Sequence, residues 1–180
     1  MKFNETKING VFLIELEKIE DARGFFSRTF DKLEFQKNNL TNEFVQSSLS
    51  YNKKKGSLRG MHFQLYPYEE TKIVSCTNGK LFDVVIDLRK NSSTFGLSDN
   101  NELSSDNYSI LYIPPGIAHG FQTLENDSVI YYQMSQYFDP KSYSGIKYND
   151  PTFNIKWPLP ISSISEHDNN LQFFSENIIS

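Results

Sequence analysis

Arg59, His62 and Lys72 lie within the stretch from Ser57 to Lys72 and bring a guanidinium, an imidazole and an ammonium close together along the chain. An imidazole titrates near neutral pH and can take up a proton. A fixed ammonium beside it can hold the negative charge that proton removal leaves behind. A guanidinium fork suits phosphate oxygens better than an ammonium does. The chain has three histidines, His62, His119 and His167, so histidine chemistry has few candidates. An isolated His62 would more often be a structural core residue, but Arg59 and Lys72 in the same stretch shift the balance toward chemistry. Lys72 is followed by Ile73 and Val74, in a segment that reads as half-buried, where a surface lysine has no ordinary place.

The elements that must position these groups read as short strands. Gly10–Glu17 and Phe25–Phe30 are strand-like around the turn Glu20 to Gly24, and Asp31 can cap a short helix to about Asn38. Phe44–Ser50 is a further strand, and the lysine run Lys53 to Lys55 is a polar turn leading into the Ser57 stretch. Asn78-Gly79, between Lys72–Cys76 and Lys80–Leu88, is the strongest hairpin signal. Asn91 to Asn107 reads as loop. Tyr108–Ile113 ends at Pro114-Pro115-Gly116, a turn delivering His119 and Phe121 to the next strand. Val129–Phe138 is a tyrosine-rich strand stopped by Asp139-Pro140, and the tail from Pro158 reads as loops with at most a short helix. The pattern predicts an all-β barrel or sandwich.

At 180 residues the chain suits one domain, 1–180, with a full core. Its 15 Phe and 10 Tyr fit strands that bury large rings. One cysteine, Cys76, excludes an internal disulfide and suits a reducing compartment. Val11-Phe12-Leu13-Ile14 is too short for a signal h-region and no stretch approaches a membrane span, so a soluble cytoplasmic protein is expected, with no membrane partner. A net charge of −4 argues against nucleic-acid binding while allowing a locally basic pocket for an anionic small molecule.

Six motifs occur in order: Asp21-Ala22-Arg23-Gly24-Phe25-Phe26, Leu58-Arg59-Gly60-Met61-His62-Phe63-Gln64, Lys72-Ile73-Val74, Gly79 through Arg89, Ser93-Thr94-Phe95-Gly96, and Pro114 through Phe121. With them the chain, from about Val11 to Trp157, resembles the dTDP-4-dehydrorhamnose 3,5-epimerase family. The resemblance implies a cupin-like jelly-roll barrel with a few short peripheral helices. It also implies a homodimer whose sheets join and whose subunits both contribute substrate contacts. The implied reaction inverts C3, C5 or both in a nucleotide-diphosphate-linked 4-keto sugar, with no cofactor.

The residues fit that chemistry independently. Inversion beside a ketone needs a base, a cation for the enolate and a proton donor across the ring. His62 can be the base, Lys72 the cation, and a tyrosine of the Tyr131-Tyr132 pair the donor, since alternation lets only one face inward. The resemblance selects Tyr132, eight residues before Pro140. It also assigns Asp168, in Ser165-Glu166-His167-Asp168, to hold the histidine tautomer. Arg23, Phe26, Gln46, Arg59, His119 and Phe138 are implied as substrate contacts, Arg59 and Arg23 toward the pyrophosphate.

Three positions depart from the family pattern. Arg28 replaces a glutamate and Ser48 an asparagine, both in the nucleotide-recognition region, so cytidine or guanosine diphosphate sugars come into view beside thymidine. Phe138 stands where a second tyrosine is common. No metal is expected: the barrel pair reads His62-Phe63-Gln64, and Lys72 occupies the acidic ligand's place and would repel a cation. The alternative to an enzyme is a non-catalytic sugar-nucleotide-binding jelly roll, which would have no reason to keep a base and an opposing acid.

Overall fold

The computed structural model describes residues 1–179, and its strands assemble into two antiparallel sheets and a hairpin. The first sheet runs β1 (Lys2–Glu5), β2 (Phe12–Glu15), β10 (Ile110–Ile113), β7 (Lys72–Asn78), β12 (Ser128–Met134), β5 (Gln46–Asn52). The second runs β13 (Tyr143–Gly145), β6 (Leu58–Gln64), β11 (Ile117–Thr123), β8 (Lys80–Asp87), β9 (Ser98–Ser104). β3 (Ile19–Asp21) and β4 (Gly24–Phe26) form the separate hairpin. Two short helices, α1 (Lys32–Lys37) and α2 (Glu166–Asn169), and a 3₁₀ turn at Glu176–Ile179 lie at the periphery. Among the described residues no helix is long and apolar enough to cross a membrane.

Alternation along each strand sorts the side chains into three layers. Val74, Cys76, Ile130, Leu81, Val85, Leu103 and Phe121 meet between the sheets. Ile14, Ile73, Ile110 and Tyr112 face outward from the first sheet and are covered by Phe35 of α1. Asp31 caps that helix, accepting hydrogen bonds from the backbone N–H groups of Leu33 and Glu34. Met61, Phe63, Val84 and Ile86 face outward from the second sheet, where the returning tail covers them with Ile146, Phe153 and Trp157.

Several expectations need correction. Asn78-Gly79 does not close a hairpin: β7 and β8 lie in different sheets, and the chain crosses the sandwich there. Gly79 has φ +78°, and a Cβ on it would come within 2.5 Å of Ser128 Oγ, so the turn that looks like a hairpin signal serves as a corner. The polar segment 91–107 contains β9, whose polar residues are tolerated because it is an edge strand. The tyrosine strand ends at Met134, before Asp139, and the strand expected over Phe25–Phe30 stops at Phe26.

At the end of β8 a buried carboxylate organises the loop that follows. Asp87 accepts hydrogen bonds from Arg89 Nε (2.8 Å), Arg89 Nη2 (2.7 Å), Ser92 Oγ and Thr94 Oγ1 (both 2.6 Å). Burial pushes its pKa up, but these bonds together outweigh it and hold the carboxyl down at about 2. The folded state therefore binds fewer protons than the unfolded chain between the ordinary value of 3.8 and about 2. That stability is fully present above pH 4 and is lost as the pH falls through the window. Asp87→Asn is expected to lower unfolding free energy by about 2 kcal/mol at neutral pH and to flatten the acid limb below pH 4. Denaturant melts across pH 2–7 read both effects; an unchanged acid limb would assign it to other carboxylates.

Candidate active site

The site is built on β6, and its geometry depends on a bulge. Arg59 and His62 are three residues apart, so a regular strand would send them to opposite faces. In the pairing with β11, His62 lies opposite His119 and Arg59 opposite Phe121, so three steps on β6 match two on β11. The extra residue returns Arg59 to the face that His62 occupies. Gly60 makes this possible, with φ +117° and a hypothetical Cβ only 2.5 Å from Gly120 Cα.

His62 is held by the tail. Its Nε2 lies 2.8 Å from Asp168 Oδ1, and the Gly60 N–H donates to Asp168 Oδ2 at 3.1 Å. Ser165 caps α2 by accepting from the Asp168 N–H at 3.0 Å, which fixes where the carboxylate points. Asp168 is raised by burial, but the bonds from His62, Gly60 and Ser165 prevail and keep it below the usual carboxylate range. An ionised Asp168 accepts Nε2–H and leaves Nδ1 of His62 with a free lone pair. Burial is the main influence on His62 and pushes its pKa down; Asp168 opposes, while Lys72 and His119 add to the lowering. The side chain is 21% exposed, so this neutral imidazole remains reachable.

Lys72 opens β7 on the opposite sheet, on the inward face shared with Val74 and Cys76. Its Nζ is 3.0 Å from Glu70 Oε1, and both side chains are nearly enclosed. Tyr132, on β12, lies opposite Val74 and packs against the inter-sheet core. Burial drives its phenol pKa well up, with the charge of Asp83 adding, so it keeps its proton. Its ring meets that of His119 at 6.5 Å, edge to face, across the space between the sheets. His119 is buried, with Nε2 2.8 Å from Asp83 Oδ2. Burial pushes the Asp83 carboxyl up against the opposing pull of His119 and Lys72, and its second oxygen, Oδ1, has no hydrogen-bond partner among the described residues.

The remaining expected residues divide into two groups. Arg59 Nε donates to Asn52 Oδ1 at 2.8 Å, and its guanidinium lines a cleft of about 340 Å³ with Lys54, Ser165 and Asp168. Gln46 Oε1 accepts from the Phe138 N–H at 2.8 Å, which sets Phe138 beside Tyr143, at 5.4 Å between rings. Gln64 turns its amide to the backbone of Tyr68, Tyr137 and Asp139 and thus braces the loop that carries Phe138. Arg23 and Phe26 are not brought to His62 within this chain. They stand on the β3–β4 hairpin, 90% and 61% exposed, where Arg23 pairs with Asp21 and Phe26 meets Arg28.

Sequence reasoning gave no role to Asp83, Glu70, Tyr143 or the position of His167. Tyr143 lies 5.2 Å from the His62 ring and stacks on His167 at 5.7 Å. Asp83 carried a signal: a lone carboxylate inside the apolar run Leu81 to Ile86 requires a buried partner.

Comparison with known proteins gives a consistent picture. A family model described as dTDP-4-dehydrorhamnose 3,5-epimerase matches residues 5–176. The dTDP-4-dehydrorhamnose 3,5-epimerase of Sinorhizobium fredii is 40% identical over 171 residues, 94% of this chain and 88% of that protein. The crystal structure of the enzyme of that name from Elizabethkingia anophelis superposes with a TM-score of 0.95 at 35% identity, covering 99% of this chain and 98% of its own. A Legionella pneumophila dTDP-6-deoxy-D-glucose-3,5-epimerase, solved in complex with dTDP-4-keto-L-rhamnose, gives 0.91 at 34% identity, covering 99% and 94%.

Proposed function

The chain belongs to the dTDP-4-dehydrorhamnose 3,5-epimerase family, and from that premise we propose that it inverts C3 and C5 of a dTDP-linked 4-keto-6-deoxyhexose through an enolate. The observation that carries this reading is the placement of a neutral, carboxylate-oriented imidazole and a protonated phenol on opposite sheets, with an ammonium on the phenol's side. Nδ1 of His62 removes the proton next to the C4 ketone. The electron pair moves to the carbonyl oxygen, where Lys72 stabilises the charge. Tyr132 then protonates the carbon from the other face, and solvent returns a proton to the phenolate while taking one from the imidazolium. Asp168 is a positioning residue, and Arg59, with two guanidinium nitrogens beyond the one given to Asn52, anchors the pyrophosphate.

The reading includes a homodimer. Ile19, Phe26 and Leu49 leave large apolar groups exposed on the hairpin and on edge strand β5, and a second copy would cover them. Arg23 and Phe26 then act at the partner's cavity rather than their own. A cytoplasmic location completes it, consistent with the free, buried thiol of Cys76.

The test is proton NMR of a dTDP-4-keto-6-deoxyglucose sample incubated with the protein in heavy water, beside CDP- and GDP-linked counterparts. Label is expected at C3 and C5 of the dTDP sugar, and least in the others. No label at either carbon in any of them would reject the epimerase reading in favour of a binding protein.

A further inference from the structure

His62, His167 and Asp168 each present a ligand atom, and these three atoms lie within 4.8 Å of one another. We infer that this group is an inhibitory site for a divalent transition cation of the Zn²⁺ class, and that occupancy disables the catalytic base. The set is two imidazoles and one carboxylate, the donors that Zn²⁺ accepts. It differs from the His62, Gln64 and His119 combination that the barrel strands offer, because two of its members come from α2. The His62–Asp168 pair stands at 2.8 Å, so a cation between them needs only a few tenths of an ångström of opening. His167 supplies the freedom for the rest: it is exposed, on a four-residue helix, its ring 6.3 Å from that of His62 and stacked on Tyr143.

The local charges permit binding. Lys72 opposes a second positive charge, but its ammonium is already paired with Glu70 at 3.0 Å. The consequence for the base follows from ligation at Nε2, the nitrogen that faces Asp168. A cation there displaces that nitrogen's proton to Nδ1, which leaves no base. Binding stands on this geometry alone; inhibition rests on the reading of His62 as the base.

The full chain, freed of metal by chelation, would be titrated with Co²⁺ and followed by its visible d–d absorption, and separately with Zn²⁺ during heavy-water exchange. One Co²⁺ per chain and loss of exchange at micromolar Zn²⁺, reversed by excess chelator, are expected. His167→Gln should leave metal-free exchange within about twofold and weaken both Co²⁺ binding and Zn²⁺ inhibition at least about tenfold. Absence of Co²⁺ absorption, or absorption and inhibition unchanged in His167→Gln, would overturn the site. Co²⁺ binding that depends on His167 without any loss of exchange would retain the site but refute inhibition and with it the role of His62.

Discussion

Replacing His62 with alanine is expected to reduce solvent exchange at both C3 and C5 by ~10²–10⁴-fold, the usual loss for a general base. No neighbour can substitute. His119 is buried with its Nε2 committed to Asp83, and His167 is exposed on α2, its ring stacked on Tyr143 at 5.7 Å and 6.3 Å from the His62 ring whose place it would have to take. The wild-type pH profile offers an independent check. Exchange should rise with pH as His62 loses its proton, and burial places that rise below the ordinary imidazole value of 6.5. Asp168 pulls the other way, so Asp168→Asn should move the midpoint lower still while slowing the plateau through loss of tautomer control. Deuterium incorporation across pH 5–8, with circular dichroism to confirm folding, measures both. Exchange in His62→Ala at more than a tenth of the wild-type rate would transfer the base role to another group.

The all-β architecture and the identities of the central groups were legible because alternation and turn residues are local signals. Asp31 announced its helix, and Lys72 in an apolar strand announced an inward-facing charge. What escaped depended on pairing between distant segments. The same Asn-Gly signal fits a hairpin and a corner, and only the assignment of β7 and β8 to different sheets decides between them. The common face of Arg59 and His62 contradicts simple alternation, since it depends on a bulge defined by the register with β11. Asp83 lay in a run whose apolar neighbours signalled burial, yet naming His119 as its partner required knowing that β8 and β11 are adjacent. Asp168 was identified through resemblance alone, because a polar tail carries no local sign that it folds back across the sheet. The exposed hairpin with Arg23 and Phe26 marks the same limit one level higher, because nothing local in its sequence says which surface those two side chains serve.

Tyr132→Phe is expected to separate the two halves of the reaction. His62 and Lys72 are untouched, so the substrate should still lose its proton and form the enolate. Without the hydroxyl, that enolate can be reprotonated only from the imidazolium side, which restores the original configuration. Deuterium should therefore enter C3 or C5 with retention, while inversion falls by ~10²–10⁴-fold. Tyr143 cannot rescue the lost step, although its phenol also stays protonated under burial. It sits on β13, in the same sheet as His62 and 5.2 Å from its ring, and so approaches the substrate from the base's side. Tyr143→Phe is thus the informative control: a modest change in rate, with the ratio of exchange to inversion unaltered. The fold should tolerate Tyr132→Phe, since the ring remains in the inter-sheet core and only the hydroxyl's bond to Ser50 is lost, about 1 kcal/mol. Following stereochemistry and label together by NMR distinguishes the outcomes, and inversion at the wild-type ratio in Tyr132→Phe would place the acid on a group other than this tyrosine.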